Sequence, residues 1–313
     1  MTLLVVTGNL DPETFAREMR ALAPDRDIRS WPEAGEKADI RYVLAWKPPA
    51  GEIAGYPNLE AIFSVGAGVD HLLSDPDLPA LPVVRFVDQN LTMRMTEYAV
   101  LHTLLHHRRM LDYAQYQRQK TWQGASQPGA DEVRVGVMGL GALGRDAAEA
   151  LARLRFQVAG WSRSPKTLPG IDCFAGDDGL DAFLARTDIL ISLLPLTDGT
   201  RGVLNAALFA KLAKDGRLPG PVLINAGRGG LQVEADILGA LESGALWAAS
   251  LDVFETEPLP ATSPLWSHPR VVVTPHNASI SDERAVCRYV LEQMARYEGG
   301  EGLENVVDLG RGY

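Results

Sequence analysis

Gly139-Leu140-Gly141-Ala142-Leu143-Gly144 is the segment that most narrows what this chain can fold into. It follows the apolar run Val133–Met138, which reads as a strand, and opens into Arg145–Arg155, a good helical sequence. Glycines at this spacing permit a tight turn, a close approach of backbone to a pyrophosphate, and close packing of helix on strand. The helix start then presents N–H groups and the positive end of its dipole. A glycine pattern alone is weak, because a purely structural strand-to-helix turn reads the same way. The context decides. Further β-branched runs follow near Gln157–Trp161, Asp188–Leu193, Pro221–Asn225, Ala248–Val253 and Val271–Thr274, with helical or loop segments between them. Six strands in this arrangement predict an α/β, Rossmann-type, doubly wound dinucleotide-binding sheet.

The chain has 313 residues, more than one hydrophobic core usually organises, so a second domain is expected. The first part supplies it. Strands are expected near Leu3–Val6, Ile40–Trp46, Leu59–Val65 and Val83–Phe86. A helix is expected over Asp11–Leu22, with Asp11 as N-cap and Pro12 at the first helical position. A long helical pattern runs from about Thr92 to Gln117, Trp122–Ala130 has loop composition, and Ser281–Glu298 reads as a closing helix.

Composition excludes several classes of function. The apolar share is 46%, the charged share is 22%, and the formal net charge is −10. This is an ordinary globular composition whose acidic balance disfavours nucleic acid and anionic lipid as partners. No apolar stretch is long enough to span a bilayer. Two cysteines, Cys173 and Cys287, exclude a disulfide framework. Met1–Gly8 lacks a basic leader and reads as a first strand, so a cytoplasmic location is expected.

A site for NAD ordinarily places an Asp or Glu about 20 residues beyond the glycine loop, where it binds the ribose diol. Here that region reads Trp161-Ser162-Arg163-Ser164-Pro165-Lys166 and carries no carboxylate. Hydroxyls on Ser162 and Ser164 and cations on Arg163 and Lys166 suit a 2′-phosphate, which predicts NADPH as the preferred cofactor and NADH as a possible one. The bland alternative, solvated loop charges, stays open at this point.

Four segments hold residue types suited to a keto acid. They are Ser64-Val65-Gly66-Ala67-Gly68-Val69-Asp70, Asn225-Ala226-Gly227-Arg228-Gly229-Gly230, Leu251-Asp252-Val253-Phe254-Glu255-Thr256-Glu257-Pro258, and Val273-Thr274-Pro275-His276-Asn277. The last three each follow an expected strand, and strand C-terminal ends are where open α/β sheets place ligands. In these motifs, taken in order, the chain resembles the D-isomer-specific 2-hydroxyacid dehydrogenase family over essentially its whole length. Trp161-Ser162-Arg163-Ser164 and Asp252 through Trp266 look most like the family's bacterial glyoxylate/hydroxypyruvate reductase A branch. One departure is Gly227, where many members carry Ala.

The resemblance implies a catalytic set of Arg228, Glu257 and His276, with Asp252 beside the nicotinamide end and Pro195, Thr200 and Ala226 also at the cofactor. It further implies a smaller, flavodoxin-like substrate domain over residues 1–98 and 280–313, a nucleotide domain over 99–279, an active-site cleft between them, and a homodimer. The chemistry of a 2-keto acid agrees. His276 would protonate the carbonyl oxygen, Glu257 would pair with His276, and Arg228 would hold the carboxylate. Backbone N–H groups of Val65, Gly66, Ala67 and Gly68 would cradle the same carboxylate, with Trp46 shaping the pocket. Glu255 competes with Glu257 for the pairing role, and the spacing from Asp252 favours Glu257.

Other readings are a phosphoglycerate- or D-lactate-type dehydrogenase and, from a different class, a non-catalytic nucleotide-sensing scaffold of the same fold. His102 and His106 stand i, i+4 on one helix, a metal-ligand spacing, but no third ligand accompanies them and Thr103 occupies the place of a zinc protease's Glu. A helix face or a subunit contact is the expected role, and no metal is expected.

Overall fold

A computed structural model describes residues 1–310; residues 311–313, the end of the expected substrate domain, lie outside the described residues. In chain order the first elements are β1 (Thr2–Thr7), α1 (Pro12–Leu22), β2 (Ile28–Ser30), β3 (Ile40–Trp46), β4 (Ala61–Ser64), α2 (Asp70–Leu73), β5 (Val83–Val84), α3 (Gln89–His107) and α4 (Met110–Arg118). They are followed by β6 (Arg134–Met138), α5 (Ala142–Arg153), β7 (Gln157–Ser162), β8 (Asp172–Ala175), α6 (Gly176–Ala185), β9 (Ile189–Ser192) and α7 (Ala206–Phe209). The remainder is β10 (Val222–Asn225), α8 (Glu234–Ser243), β11 (Ala248–Leu251), β12 (Val271–Val273) and α9 (Glu283–Glu298).

The chain divides into two compact units, Met1–Leu91 with the segment from Ser281 onward, and Thr92–Ile280. The first division falls inside α3, earlier than the expected 98/99 junction. Leu91 packs in the core of the first unit, whereas Met95, Tyr98 and Ala99 are buried in the core of the second.

In the first unit five parallel strands run in the order β2-β1-β3-β4-β5, a flavodoxin-like arrangement. Side chains alternate across β1: Leu3 and Val5 face a core with Phe15 and Met19 of α1 and Val286, Val290 and Met294 of α9. Leu4 and Val6 face the opposite core with Ile53, Tyr56 and Leu72. Asp11 caps α1 as expected, its Oδ1 accepting from Glu13 N at 3.1 Å.

The second unit carries seven parallel strands in the order β12-β11-β10-β9-β6-β7-β8. Sequence order reverses between β6 and β9, so the glycine loop after β6 leaves the sheet at the topological switch point. Two expectations are corrected. The single long helix of 92–117 is two helices, broken where Arg109 takes a left-handed φ of 60°. Two short strands, β2 and β8, went unread; both lie at sheet edges, where one neighbour suffices and the hydrophobic signal is weak.

Candidate active site

The glycine loop is built by contact. Gly139 takes φ 101°, and a Cβ on Gly144 would lie 1.8 Å from Gly139 O, so both positions exclude a side chain. A Cβ on Gly141 would meet nothing within 4 Å, and α5 starts without a side-chain cap. The loop therefore has packed glycines beneath and open space with first-turn N–H groups above, which fits a pyrophosphate. Leu140 is buried, while Ala142 and Leu143 open the helix.

At the end of β7 the Trp161 indole donates to Gly176 O at 2.9 Å. Ser162 is buried and its hydroxyl donates to Ser164 O at 2.8 Å, so its one proton shapes the turn and is not available to a phosphate. Arg163, Ser164 and Lys166 are exposed around that turn. After β9, Thr200 Oγ1 donates to Pro195 O at 2.7 Å and accepts from Thr197 N at 2.8 Å, which fixes the 195–200 loop. Ala226 is buried, its N–H donating to Ser192 O at 3.2 Å.

The loops following β10, β11 and β12 leave three adjacent strands and are laced together. Asp252 N donates to Asn225 O at 3.0 Å, Gln232 Nε2 to Val253 O at 2.9 Å, and Asn225 Nδ2 to Gln232 Oε1 at 2.8 Å. A Cβ on Gly227 would come within 2.8 Å of Leu231 Cδ1 and 2.9 Å of Leu194 O. Glycine here permits a close crossing of chains and does not loosen the site. Gly227 N donates to Asn225 Oδ1 at 3.1 Å, and Arg228 Nη1 donates to Gly227 O at 2.9 Å, holding the half-buried guanidinium to its own loop.

Glu257 is fixed at one oxygen and engaged at the other. Its Oε1 accepts from Phe254 N at 3.1 Å, and its Oε2 lies 2.8 Å from His276 Nδ1. An ionised carboxylate only accepts, so Nδ1 carries the proton of that bond and Nε2 is the nitrogen left for proton exchange with another group. The His276 and Glu257 side chains are 37% and 27% exposed, open enough for a ligand to reach. Glu255, the rival on composition, instead caps α8: its Oε1 accepts from Glu234 N and Glu234 Oε1 accepts from Glu255 N, both at 2.8 Å.

Asp252 is 1% exposed. Its Oδ1 accepts from Thr274 Oγ1 at 2.6 Å and Asn277 N at 3.0 Å, its Oδ2 accepts from Ala278 N at 2.9 Å, and its carbonyl accepts from His276 N at 2.7 Å. Sequence reasoning placed Asp252 at the nicotinamide; the structure shows that its oxygens hold the loop bearing His276. The signal for this lay in the order Thr-Pro-His-Asn-Ala after a strand, which supplies one hydroxyl and two backbone N–H groups within five residues.

In the first unit, Trp46 ends β3 with its ring 4.4 Å from that of His71, and a Cβ on Gly66 would come within 2.8 Å of Trp46 Cζ3. The Val65–Gly68 loop differs from expectation in one respect. Val65 N already donates to Ala45 O at 3.2 Å, and Gly66 N to Ser64 Oγ at 3.3 Å. Those two N–H groups are committed to the fold.

Parallel seven-stranded sheet, packed glycine turn and strand-end acid–histidine pair together define a nucleotide-dependent dehydrogenase class. The family described as D-isomer specific 2-hydroxyacid dehydrogenase, NAD binding domain, matches residues 100–278. The chain belongs to the D-isomer-specific 2-hydroxyacid dehydrogenase family. Among solved structures it is similar to an NADPH-dependent glyoxylate/hydroxypyruvate reductase from Sinorhizobium meliloti in complex with NADP and sulfate, with 47% identity over 100% of this chain and 99% of that one and a TM-score of 0.94. It is also similar to a probable 2-hydroxyacid dehydrogenase from Rhizobium etli in complex with NADP, HEPES and L(+)-tartaric acid, with 46% identity, the same coverage of both chains, and a TM-score of 0.95. A family member from Xanthobacter autotrophicus in complex with NADPH and MES shows 41% identity over 100% of this chain and 99% of that one, with a TM-score of 0.94.

Proposed function

We propose that this protein reduces small 2-keto acids with NADPH, glyoxylate to glycolate and hydroxypyruvate to D-glycerate, and accepts NADH less well. The observation that carries the reading is the His276 Nδ1–Glu257 Oε2 contact at 2.8 Å on strand-end loops of a dinucleotide-binding sheet. The relatives crystallised with NADP or NADPH, one of them named for glyoxylate and hydroxypyruvate, support the cofactor and the substrate class.

The reduced nicotinamide supplies a hydride to the keto carbon when bound. Protein side chains do the rest. His276 gives a proton from Nε2 to the carbonyl oxygen, while Glu257 fixes the ring through Nδ1 and offsets the charge that the protonated ring carries. Arg228, a permanent planar cation, binds the substrate carboxylate and polarises the carbonyl. In the first unit, taken by itself, the N–H groups of Ala67 and Gly68 are the ones suited to a carboxylate, since those of Val65 and Gly66 are already used, and Trp46 packs against Gly66. Gly139–Gly144 and the start of α5 hold the pyrophosphate, and Arg163, Ser164 and Lys166 hold the 2′-phosphate. Trp161, Pro195, Thr200 and Ala226 shape the walls, and Asp252 acts on the nicotinamide end by fixing the loop beside it.

The reading extends to assembly and location. Leu101 and Met110 are 60% and 50% exposed on α3 and α4, and Trp122 beyond them is fully exposed, which supports a homodimer through this region. Free Cys173 and Cys287, together with the absence among the described residues of a helix long and apolar enough to cross a membrane, support a cytoplasmic enzyme.

The test is a comparison of NADPH and NADH oxidation by the purified protein with glyoxylate, hydroxypyruvate, pyruvate and phosphohydroxypyruvate. Glyoxylate and hydroxypyruvate with NADPH are expected to give the highest kcat/KM. His276→Gln is expected to lower kcat by about 10²–10⁴-fold, and Arg228→Ala by a comparable factor. Turnover near wild type in both variants would refute the site.

A further inference from the structure

The buried face of α3 carries three polar rings one helical turn apart, Tyr98, His102 and His106. Two of them meet a single hydroxyl: Ser250 Oγ on β11 lies 2.8 Å from His102 Nδ1 and 2.8 Å from His106 Nε2. Burial pushes His102 down to about 4 and His106 down to about 3, so both rings are neutral near pH 7. A neutral imidazole offers one N–H and one bare nitrogen, and the Ser250 hydroxyl has one proton and two lone pairs, so it can accept from one ring while donating to the other. The third ring, Tyr98, lies over His102 with centroids 4.0 Å apart and planes 34° apart.

From Tyr98 the polar chain continues to the site. Tyr98 Oη is 2.9 Å from Thr274 Oγ1. Thr274 has one hydroxyl proton, and it is committed to the Asp252 carboxylate at 2.6 Å. Tyr98 must therefore be the donor to Thr274. Desolvation raises the Tyr98 hydroxyl above its ordinary range, which keeps that proton in place. Beyond Asp252 the bonds end on the N–H groups of His276, Asn277 and Ala278. His276 itself sits at φ 53°, a left-handed backbone that a residue with a Cβ holds only when its surroundings over-determine it.

We propose that Tyr98 is a positioning residue for His276, acting through Thr274 and Asp252, with His102, Ser250 and His106 fixing the plane of the Tyr98 ring. This rests on the reading of His276 as the proton donor. Tyr98 touches neither substrate nor cofactor in this scheme; it holds Thr274 in the rotamer that serves Asp252, and Asp252 holds the strained backbone from which the imidazole projects. Removing the Tyr98 hydroxyl leaves Thr274 held by Asp252 alone, while the ring stack on His102 survives.

The experiment uses the full chain with Tyr98→Phe, Thr274→Val, Thr274→Ser and the double variant Tyr98→Phe/Thr274→Val. In Tyr98→Phe, kcat for keto-acid reduction is expected to fall about tenfold with the KM for NADPH changed less than about twofold, because a displaced proton donor slows the chemical step alone. Amide exchange over 276–278 is expected to speed up by about tenfold. Thr274→Ser keeps the hydroxyl and is expected to retain wild-type kcat and exchange. Two residues acting in series share one loss, so the double variant should be no slower than Thr274→Val. Wild-type kcat and exchange in Tyr98→Phe, or a double-variant loss equal to the product of the single losses, would overturn the proposal. Exchange needs no substrate. A wild-type protein that reduced no 2-keto acid, with 276–278 exchange still rising in Tyr98→Phe, would overturn the proposed reaction and leave the link from Tyr98 to the loop standing.

Discussion

Histidine occurs in two opposed settings in the Thr92–Ile280 unit. His276, at the mouth of a strand-end loop, is over a third exposed and faces an ionisable carboxylate; His102 and His106, beneath α3, are almost wholly buried and face a serine hydroxyl. The difference lies in what each environment does to charge. The ring beside Glu257 meets solvent and a carboxylate, so its polar atoms are not shut into apolar surroundings. A buried ring whose hydrogen-bond partner is the neutral Ser250 hydroxyl disfavours charge, and its polar atoms serve geometry. On the proposed reading of His276, acid–base chemistry and scaffolding are separated by burial and partner, with the same side chain used for both.

That separation predicts opposite outcomes on the two sides. The largest effect is expected from Glu257→Gln, which keeps the shape but removes the charge that supports His276. Its kcat should drop by about 10²-fold while Tm moves by less than about 2 °C, since the group is partly solvated. Steady-state kinetics and a thermal melt check both halves.

Asp112 is the counterpart on the buried side. It accepts from Arg109 Nε at 2.6 Å and Arg270 Nη1 at 3.3 Å, and the two guanidinium carbons lie 5.0 and 4.7 Å from the Trp247 ring centre. Asp112→Asn keeps a hydrogen bond but strips the charge between two cations, for an expected loss of about 2 kcal/mol. Denaturant unfolding should show the lower midpoint, with kcat within about twofold of wild type.

The smallest effect is in the pH dependence of stability. His102 and His106 titrate at about 4 and about 3 in the folded protein against 6.5 when solvated. Below 6.5 the unfolded chain takes up protons that the folded one refuses. Stability is therefore complete above that pH and declines as pH falls towards 4 for His102 and towards 3 for His106. At pH 5.5, one unit below the solvated value, each ring should cost about 1.4 kcal/mol. Melts at pH 7.5 and 5.5 should differ by several degrees, and His106→Gln should shrink that gap; an unchanged gap would remove the buried-histidine half of the comparison.

Much of the frame was legible from sequence because its signals are local. Gly139–Gly144 lies directly between a strand and a helix, and the strands before the loops of Arg228, Glu257 and His276 each show as a short apolar run. The residues missed have partners far along the chain. Ser250 meets His102 and His106 across separations of 148 and 144 residues, and Tyr98 meets Thr274 across 176, so each segment shows only half of its contact. The break at Arg109 was hidden for a different reason: Arg108 and Arg109 are good helix formers, and the local ion pair to Asp112 together with the long-range contact to Trp247 accompanies the break against that propensity. Backbone donors at Val65 and Gly66 looked available because sequence does not show which N–H groups the sheet has already claimed.

Gly227 carries a lesson for anyone redesigning the chain. Replacing a glycine by alanine is ordinarily a safe route to greater robustness where the backbone allows it. In this protein the added methyl would press on the Leu194 carbonyl and the Leu231 side chain, one residue from Arg228. Alanine fits here only if the Leu194 carbonyl and the Leu231 side chain give way together.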